Sequence, residues 1–193
     1  MTGNNLLDMV ARMGHESTGE VDDKIFFCEC ATSALREINM IRPAEKRITL
    51  QHPDASKADE SSDARYTVYD MSKIVDDFRA FAAPPVREGG RASYVTQDYI
   101  LDGAKLLLPS AQKGEYDIWY QHMISELSAD GLNGELEVAS DLVELVPYLT
   151  AYLFWGKDEP EVANAAKKRY DELLIFVRRR INRACGYEAG TWG

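Results

Sequence analysis

The segment Leu145–Trp155, LVPYLTAYLFW, is the strongest constraint on what this chain can fold into. It is apolar at almost every position, contains Pro147, and runs straight into the charged stretch GKDEPEVANAAKKRY. A helix that is apolar all round has to be buried all round. The surrounding run Leu142–Trp155 contains Glu144 and is too short to span a bilayer. Protein must therefore cover this segment on more than one side.

Val138, Leu142, Leu145, Leu149 and Leu153 recur at helical spacing and form one stripe. Gly156 suits the position just past a helix, and Asp158 with Glu161 suits the start of the next. That next helix carries Val162, Ala166, Tyr170, Leu173, Val177, Ile181 and Ala184 at spacings of three and four. The short link makes the two helices an antiparallel hairpin, with Ala163 and Ala166 leaving room for Tyr152, Phe154 and Trp155. Inside a helix Pro147 removes a hydrogen bond and costs roughly 3 kcal/mol, so a kink or a junction of two shorter helices is expected there. Val143, Val146 and Tyr148 lie off the stripe. They are the candidates for contact with another subunit, unless the β section covers them.

The N-terminal end is also helical. Leu6, Leu7, Val10 and Met13 give a short amphipathic helix. Ser17 and Glu20 suit a capping box for a second helix, with Val21, Ile25, Cys28, Thr32, Leu35 and Ile38 on one face and Pro43 closing it. In the middle, RITLQH and RYTVYD alternate with the two-residue period of strands. They are expected to pair as a hairpin around PDASKADESSDA, whose polarity predicts an exposed, mobile loop. Met71–Gly90 leaves helix and strand both open. ASYVTQDYILDG, KLLLP and GEYDIWYQHM supply further strands, with Tyr116, Ile118 and Tyr120 on one face of the last. Asp102 with Gly103 suits a tight hairpin turn, and Gln112–Gly114 another. The expected fold class is α+β: an antiparallel helical bundle from the N- and C-terminal helices with a central β-strand-rich insertion. The expected divisions are 1–45 for the N-terminal helices, 46–130 for the insertion, 131–185 for the C-terminal hairpin and 186–193 for an extended tail.

Reactive chemistry is sparse. The formal net charge of -10 argues against gripping a nucleic-acid backbone, which relies on Lys and Arg displacing counterions. Cys28, Cys30 and Cys185 show no framework spacing and suit small buried thiols in a reducing compartment. His15, His52 and His122 are not at ligand spacing, and no H-E-x-x-H, C-x-x-C or phosphate-cradling loop occurs. The carboxylate pairs Asp76–Asp77, Glu135–Glu137 and Asp171–Glu172 suit solvated faces. No catalytic, cofactor-binding or metal-binding residue is expected. The N-terminal residues lack the basic region and apolar run of a signal peptide, so a soluble protein of the cytoplasm or of a particle is expected.

Arg178, Arg179, Arg180 and Arg183 crowd the last turns of the final helix. The helix dipole favours positive charge there by about 0.3–1 kcal/mol each, which accounts for one or two arginines and not four. A basic end on an acidic chain suits head-to-tail contact between copies or docking on an acidic partner. Tyr187 and Trp192 follow on a glycine-punctuated arm and are candidate anchors.

The order of a strand-rich segment ending GEYDIWYQ, an apolar helix, a G-K-D-E turn and a helix of form A-x-x-x-Y-x-x-L resembles the C-terminal signature of tailed-phage head–tail adaptor proteins, also called head-completion or connector proteins. The matching residues are Leu145, Pro147, Ala151, Leu153, Asp158, Glu159, Ala163 or Ala166, and Tyr170. The resemblance implies a structural virion protein in the neck between capsid and tail, present in the host cytoplasm during assembly. It implies a homo-oligomeric ring, commonly of twelve copies, beneath the portal protein. Such a ring extends the DNA channel, lets DNA pass without specific binding, and docks the next neck, stopper or tail protein. The same resemblance implies that the C-terminal tail engages the portal. Two other readings fit the residues: a small acidic scaffolding or regulatory protein with an apolar groove for one partner, and a hydrolase using paired carboxylates.

Overall fold

The computed structural model describes residues 1–14, 23–88, 93–95 and 98–184, without the side chains of 88, 93–95 and 182–184. The protein is mixed α+β, with five helices and two antiparallel sheets among these residues. The chain divides into two compact units. Met1–Pro43 and the chain from Ile124 onward form one, and Ala44–Met123 forms the other.

The first unit is helical. Helix α1 (Gly3–Met13) buries Leu6, Leu7, Val10 and Ala11, the face its spacing predicts. Helix α2 (Lys24–Ile41) ends just before Pro43 as expected. Its N-cap is Asp23, whose carboxylate accepts the Phe26 N–H at 2.8 Å; Ser17, Glu20 and Val21 lie outside the described residues. Cys28, Thr32, Leu35 and Ile38 are buried, whereas Ile25, expected on the same face, is exposed. Thr32 is satisfied by the Leu127 N–H at 3.0 Å.

A single 3-10 turn (Val143–Leu145) precedes helix α4 (Val146–Trp155). Val138 and Leu142 thus lie ahead of the helix and are not part of its stripe. Pro147 falls in the first turn of α4, where a missing N–H leaves no hydrogen bond unmade. No kink is needed. Helix α5 (Pro160–Ala184) starts with proline at its first position, and the Glu159 carbonyl accepts the first intrahelical bond from Ala163. Glu159 is therefore the N-cap, one residue later than the Asp158 capping box predicts. Contacts pair Tyr152 with Lys167 and Glu144 with Arg180, so numbers fall along one helix as they rise along the other, and α4 and α5 run antiparallel.

Helix α4 packs on α1, α2 and α5. Its Trp155 donates its indole N–H to the Val10 carbonyl at 3.0 Å, and Phe154 sits against Phe26, Phe27 and Trp155. Val146, Leu149 and Ala151 are buried. Gly14 closes α1 directly against the Trp155 ring, where an added Cβ would come within 2.4 Å of a ring carbon.

The second unit is built on β8 (Gly114–His122). It pairs along its length with β1 (Glu45–His52), and on its other side with β3 (Phe78–Phe81) and β4 (Val86–Glu88), which carries β5 (Ser93–Val95). The smaller sheet has the order β2 (Tyr66–Asp70), β7 (Lys105–Pro109), β6 (Ile100–Asp102). The alternation in β8 holds: Tyr116, Ile118 and Tyr120 are buried in one core with Leu50, Tyr69 and Leu106. The expected β1–β2 hairpin does not form, because the two strands belong to different sheets. Gln112–Gly114 likewise links the two sheets and makes no hairpin. Asp102 and Lys105 do pair across a two-residue turn, where Gly103 takes a φ of 58°, a conformation suited to glycine. Met71–Gly90 contains both options: a one-turn helix, α3 (Met71–Ile74), and strands β3 and β4.

His52 bridges the two sheets. Its Nε2 lies 3.0 Å from the Pro109 carbonyl, which can only accept, so Nε2 carries the proton. Nδ1 then accepts from the Tyr69 hydroxyl at 2.8 Å, and the Tyr69 oxygen accepts the Asp54 N–H at 3.0 Å. Every member of this buried chain is satisfied.

The 53–64 segment is the largely exposed loop its composition predicts, and it is hydrogen-bonded to β2: the Asp59 N–H donates to the Val68 carbonyl at 2.8 Å and the Asp63 N–H to the Tyr66 carbonyl at 2.9 Å. Asp54, Asp59 and Asp70 each accept both the N–H and the hydroxyl of the serine two residues on. Asp63 accepts the Arg65 and Tyr66 N–H groups. Asp59 also holds Lys73 at 2.8 Å. Lys73 first, then the Ser61 hydroxyl and N–H, hold the Asp59 carboxyl far below the usual carboxylate range. Asp54 and Asp70, each chiefly through its serine hydroxyl, and Asp63 through the Tyr66 and Arg65 N–H groups, are lowered too.

Two outcomes are expected. Gly14→Ala forces the Trp155 ring to shift and should lower stability by about 1–3 kcal/mol in urea unfolding. The acidic segment has the sign of depressed carboxylates: its contribution is complete above the unfolded value of about 3.9 and is lost as pH falls from there through the lower folded values. The amide signals of Ser56, Ser61 and Ser72 should therefore keep their native positions at that pH and collapse only below it. Asp59→Asn removes the titrating carboxylate, so the Ser61 signal should lose this acid transition.

Candidate interaction surface

Helix α5 contains five consecutive apolar residues, Leu173–Val177. One side of a helix has no room for five in a row. Val177 is fully buried and Leu173 and Leu174 are half-buried, but Ile175 and Phe176 are 53% and 60% exposed. Large apolar side chains at that exposure, beside arginines, are the composition of a contact surface.

Two depressions flank α5. Between α2 and α5 runs a groove of about 570 Å³, with Met40, Ile41, Tyr170 and Leu174 in its walls and Glu37, Asp171 and Arg178 among its charged groups. Met40 is 77% exposed there. At the start of α5 lies an apolar hollow of about 420 Å³, lined by Met13, Tyr148, Val162, Ala165 and Ala166, with Glu161 and Arg169 as its charged groups.

The sequence candidates are dispersed among these features. Arg178 lines the groove. Arg179 is exposed and makes no ion pair among the described residues. Arg180 is exposed and lies 3.7 Å from Glu144. The side chain of Arg183, and Tyr187 and Trp192 entirely, lie outside the described residues. Of the expected inter-subunit residues, Tyr148 is half-buried and lines the hollow, and Val143 is half-buried. Val146 has no exposed surface and is a core residue, so it cannot meet a neighbour. It lies in the first turn of α4, which the rest of the helical unit encloses. Ile175, Phe176 and Met40 were not singled out by the sequence reading, although the unbroken run Leu173–Val177 was the available signal.

Of the paired carboxylates, Asp77, Asp171 and Glu172 each turn to a separate cation. Asp77 bonds Lys46 at 2.7 Å and the Tyr120 hydroxyl at 3.1 Å, and Glu172 bonds Arg169 at 3.2 Å. Burial works to raise the Asp77 carboxyl, but Lys46 and Tyr120 outweigh it and the net shift is downward. Among the described residues, each carboxyl that is shifted is shifted down, which suits ion pairing over proton donation at neutral pH. Cys28 and Cys30 are buried free thiols. Burial raises both, and with the negative charges of Glu29 and Asp23 pushes Cys30 up to about 11, so they are weak nucleophiles. No helix among the described residues is long and apolar enough to cross a membrane.

No protein-family model matches the chain, and a search of curated proteins finds no match.

Because Ile175 and Phe176 face outward, changing both to serine should alter unfolding free energy by no more than about 0.5 kcal/mol. Leu149→Ala, in the core, should cost about 2–5 kcal/mol. Urea titrations of the two variants check the contrast.

Proposed function

We propose that this chain is a structural protein of the tailed-phage neck, a head–tail adaptor that stands as a homo-oligomeric ring under the portal protein. In this reading α1, α2, α4 and α5 form an antiparallel helical bundle, and the β-rich unit is an insertion within it. The reading rests on the adaptor-like order of elements. The observation that carries it is the second half of α5, where Ile175 and Phe176 stand exposed beside Arg178, Arg179 and Arg180. Such a surface does its work against other protein. The groove between α2 and α5, with Arg178 in its wall, is the proposed portal-docking site. The ring extends the DNA channel, and the net charge of -10 lets DNA slide past without adhering. A downstream neck or tail protein binds the platform below. The protein acts without catalysis or cofactor, in the host cytoplasm during assembly and then in the virion.

The groove also favours a second reading, in which an acidic scaffolding protein binds one partner helix through it.

Mixing the purified chain with the portal protein of the same particle separates the two. A stoichiometric ring on the portal, seen by electron microscopy, is expected. A complex of one chain with one partner favours the scaffolding reading, and no complex at any salt concentration overturns both the ring and the portal site. Met40→Ser combined with Arg178→Glu should weaken portal binding roughly tenfold or more.

A further inference from the structure

One side of α5 is complementary to itself. Glu161, Ala165, Arg169, Glu172, Phe176 and Arg180 follow one another at three- and four-residue spacing, so they share a face. Taken inward from the two ends they form complements: acid with base (Glu161, Arg180), small with large (Ala165, Phe176), base with acid (Arg169, Glu172). All six are exposed except half-buried Glu172. The apolar hollow that includes Ala165 lies at one end of this face, and Phe176 projects at the other.

We propose that a second copy of this chain covers this face, with the two α5 helices antiparallel about a two-fold axis between Tyr170 and Asp171. Each Phe176 enters the hollow at the other copy's Ala165. Each Glu161 meets the other copy's Arg180, and Arg169 and Glu172 of both copies close a four-charge cluster on the axis. A parallel arrangement in the same register would set Glu161 on Glu161 and Arg180 on Arg180, and like charges exclude it. Within one chain, Arg169 reaches Glu172 at 3.2 Å and Arg180 reaches Glu144 at 3.7 Å. Exposed pairs of this kind contribute little alone. In the dimer they become shared networks around a buried aromatic, which is where contact energy concentrates.

The size of the face sets the strength. From Glu161 to Arg180 the helix runs about 30 Å, and a helix is about 10 Å across. That footprint is smaller than the ~800 Å² each partner contributes to a tight complex. The pair is therefore weak and transient. A two-fold contact closes on itself, so it builds a dimer and not a ring. The groove holding Met40 and Arg178 lies on the other side of α5 and stays open. The inference goes beyond the ring reading and does not rest on it.

Sedimentation equilibrium of the full chain over a range of concentrations tests it. The expected result is a monomer–dimer equilibrium that Phe176→Ser weakens by roughly tenfold or more, with an unchanged circular dichroism spectrum. Glu161→Arg and Arg180→Glu should each abolish pairing alone. An equal mixture of those two variants should restore it, since each heterodimer regains both opposite-charge contacts. A monomer throughout, a species larger than two copies, or a mixture that stays monomeric overturns the proposal. So does a dimer that ignores Phe176→Ser but is lost when residues 186–193 are removed. No portal protein enters these measurements, so their failure is distinct from failure of the adaptor reading.

Discussion

The helical unit depends on covering α4. Its sequence has almost no polar side to turn to water, and α1, α2 and α5 each take part of its surface. Trp155 ties the arrangement together, because its ring packs on Gly14 while its N–H is fixed on the Val10 carbonyl. A buried indole needs a partner for that N–H, and a free carbonyl at the last turn of a helix is a natural acceptor. The end of α1 is thus bonded to the end of α4, and the aromatic group Phe26, Phe27 and Phe154 fills the space beside them. Thr150 is the one loose end, a fully buried hydroxyl with no partner among the described residues.

In the second unit β8 plays the corresponding part. It is the longest strand among the described residues, and β1, β3 and β4 all pair with it. The smaller sheet shares its core with β8 through Tyr69, Leu106 and Leu108, while His52 reaches from β1 to β2 and to the end of β7. A histidine with both nitrogens committed fixes the spacing of two sheets more tightly than apolar contact alone.

Much of this was legible wherever burial is one-sided. The faces of α1 and α5 and the alternation of β8 could be read from spacing, because one partner surface imposes one period. Strand pairing could not be read, since it depends on contacts far apart in sequence: Leu50 meets Tyr116, not the nearby Val68. Pro147 was misplaced because the apolar pattern runs unbroken into it, although a proline is as natural in a first turn as it is costly inside a helix. By composition the 53–64 segment reads as a polar loop without periodicity. Its order lies instead in a repeated spacing, an aspartate followed two residues later by a serine, and Asx turns of this kind need no apolar residue. Of the candidate surface, the arginines were visible as a cluster. Ile175 and Phe176 were not, because they lie inside an unbroken apolar run, and spacing alone does not say which of its residues a neighbouring element leaves uncovered.

The surplus apolar surface therefore belongs to α5 and not to α4, and the charge pattern of α5 decides how it can be used. Acidic residues at the start and basic residues at the end suit the helix dipole within a single chain. The same polarity governs contact between chains. Two such helices laid in parallel oppose like charges along their whole length, whereas antiparallel they set each acidic end on a basic one. A pattern that stabilises the isolated helix thus also selects the direction in which two copies meet. The exposed Phe176 supplies the adhesion, and the charges around it supply the register.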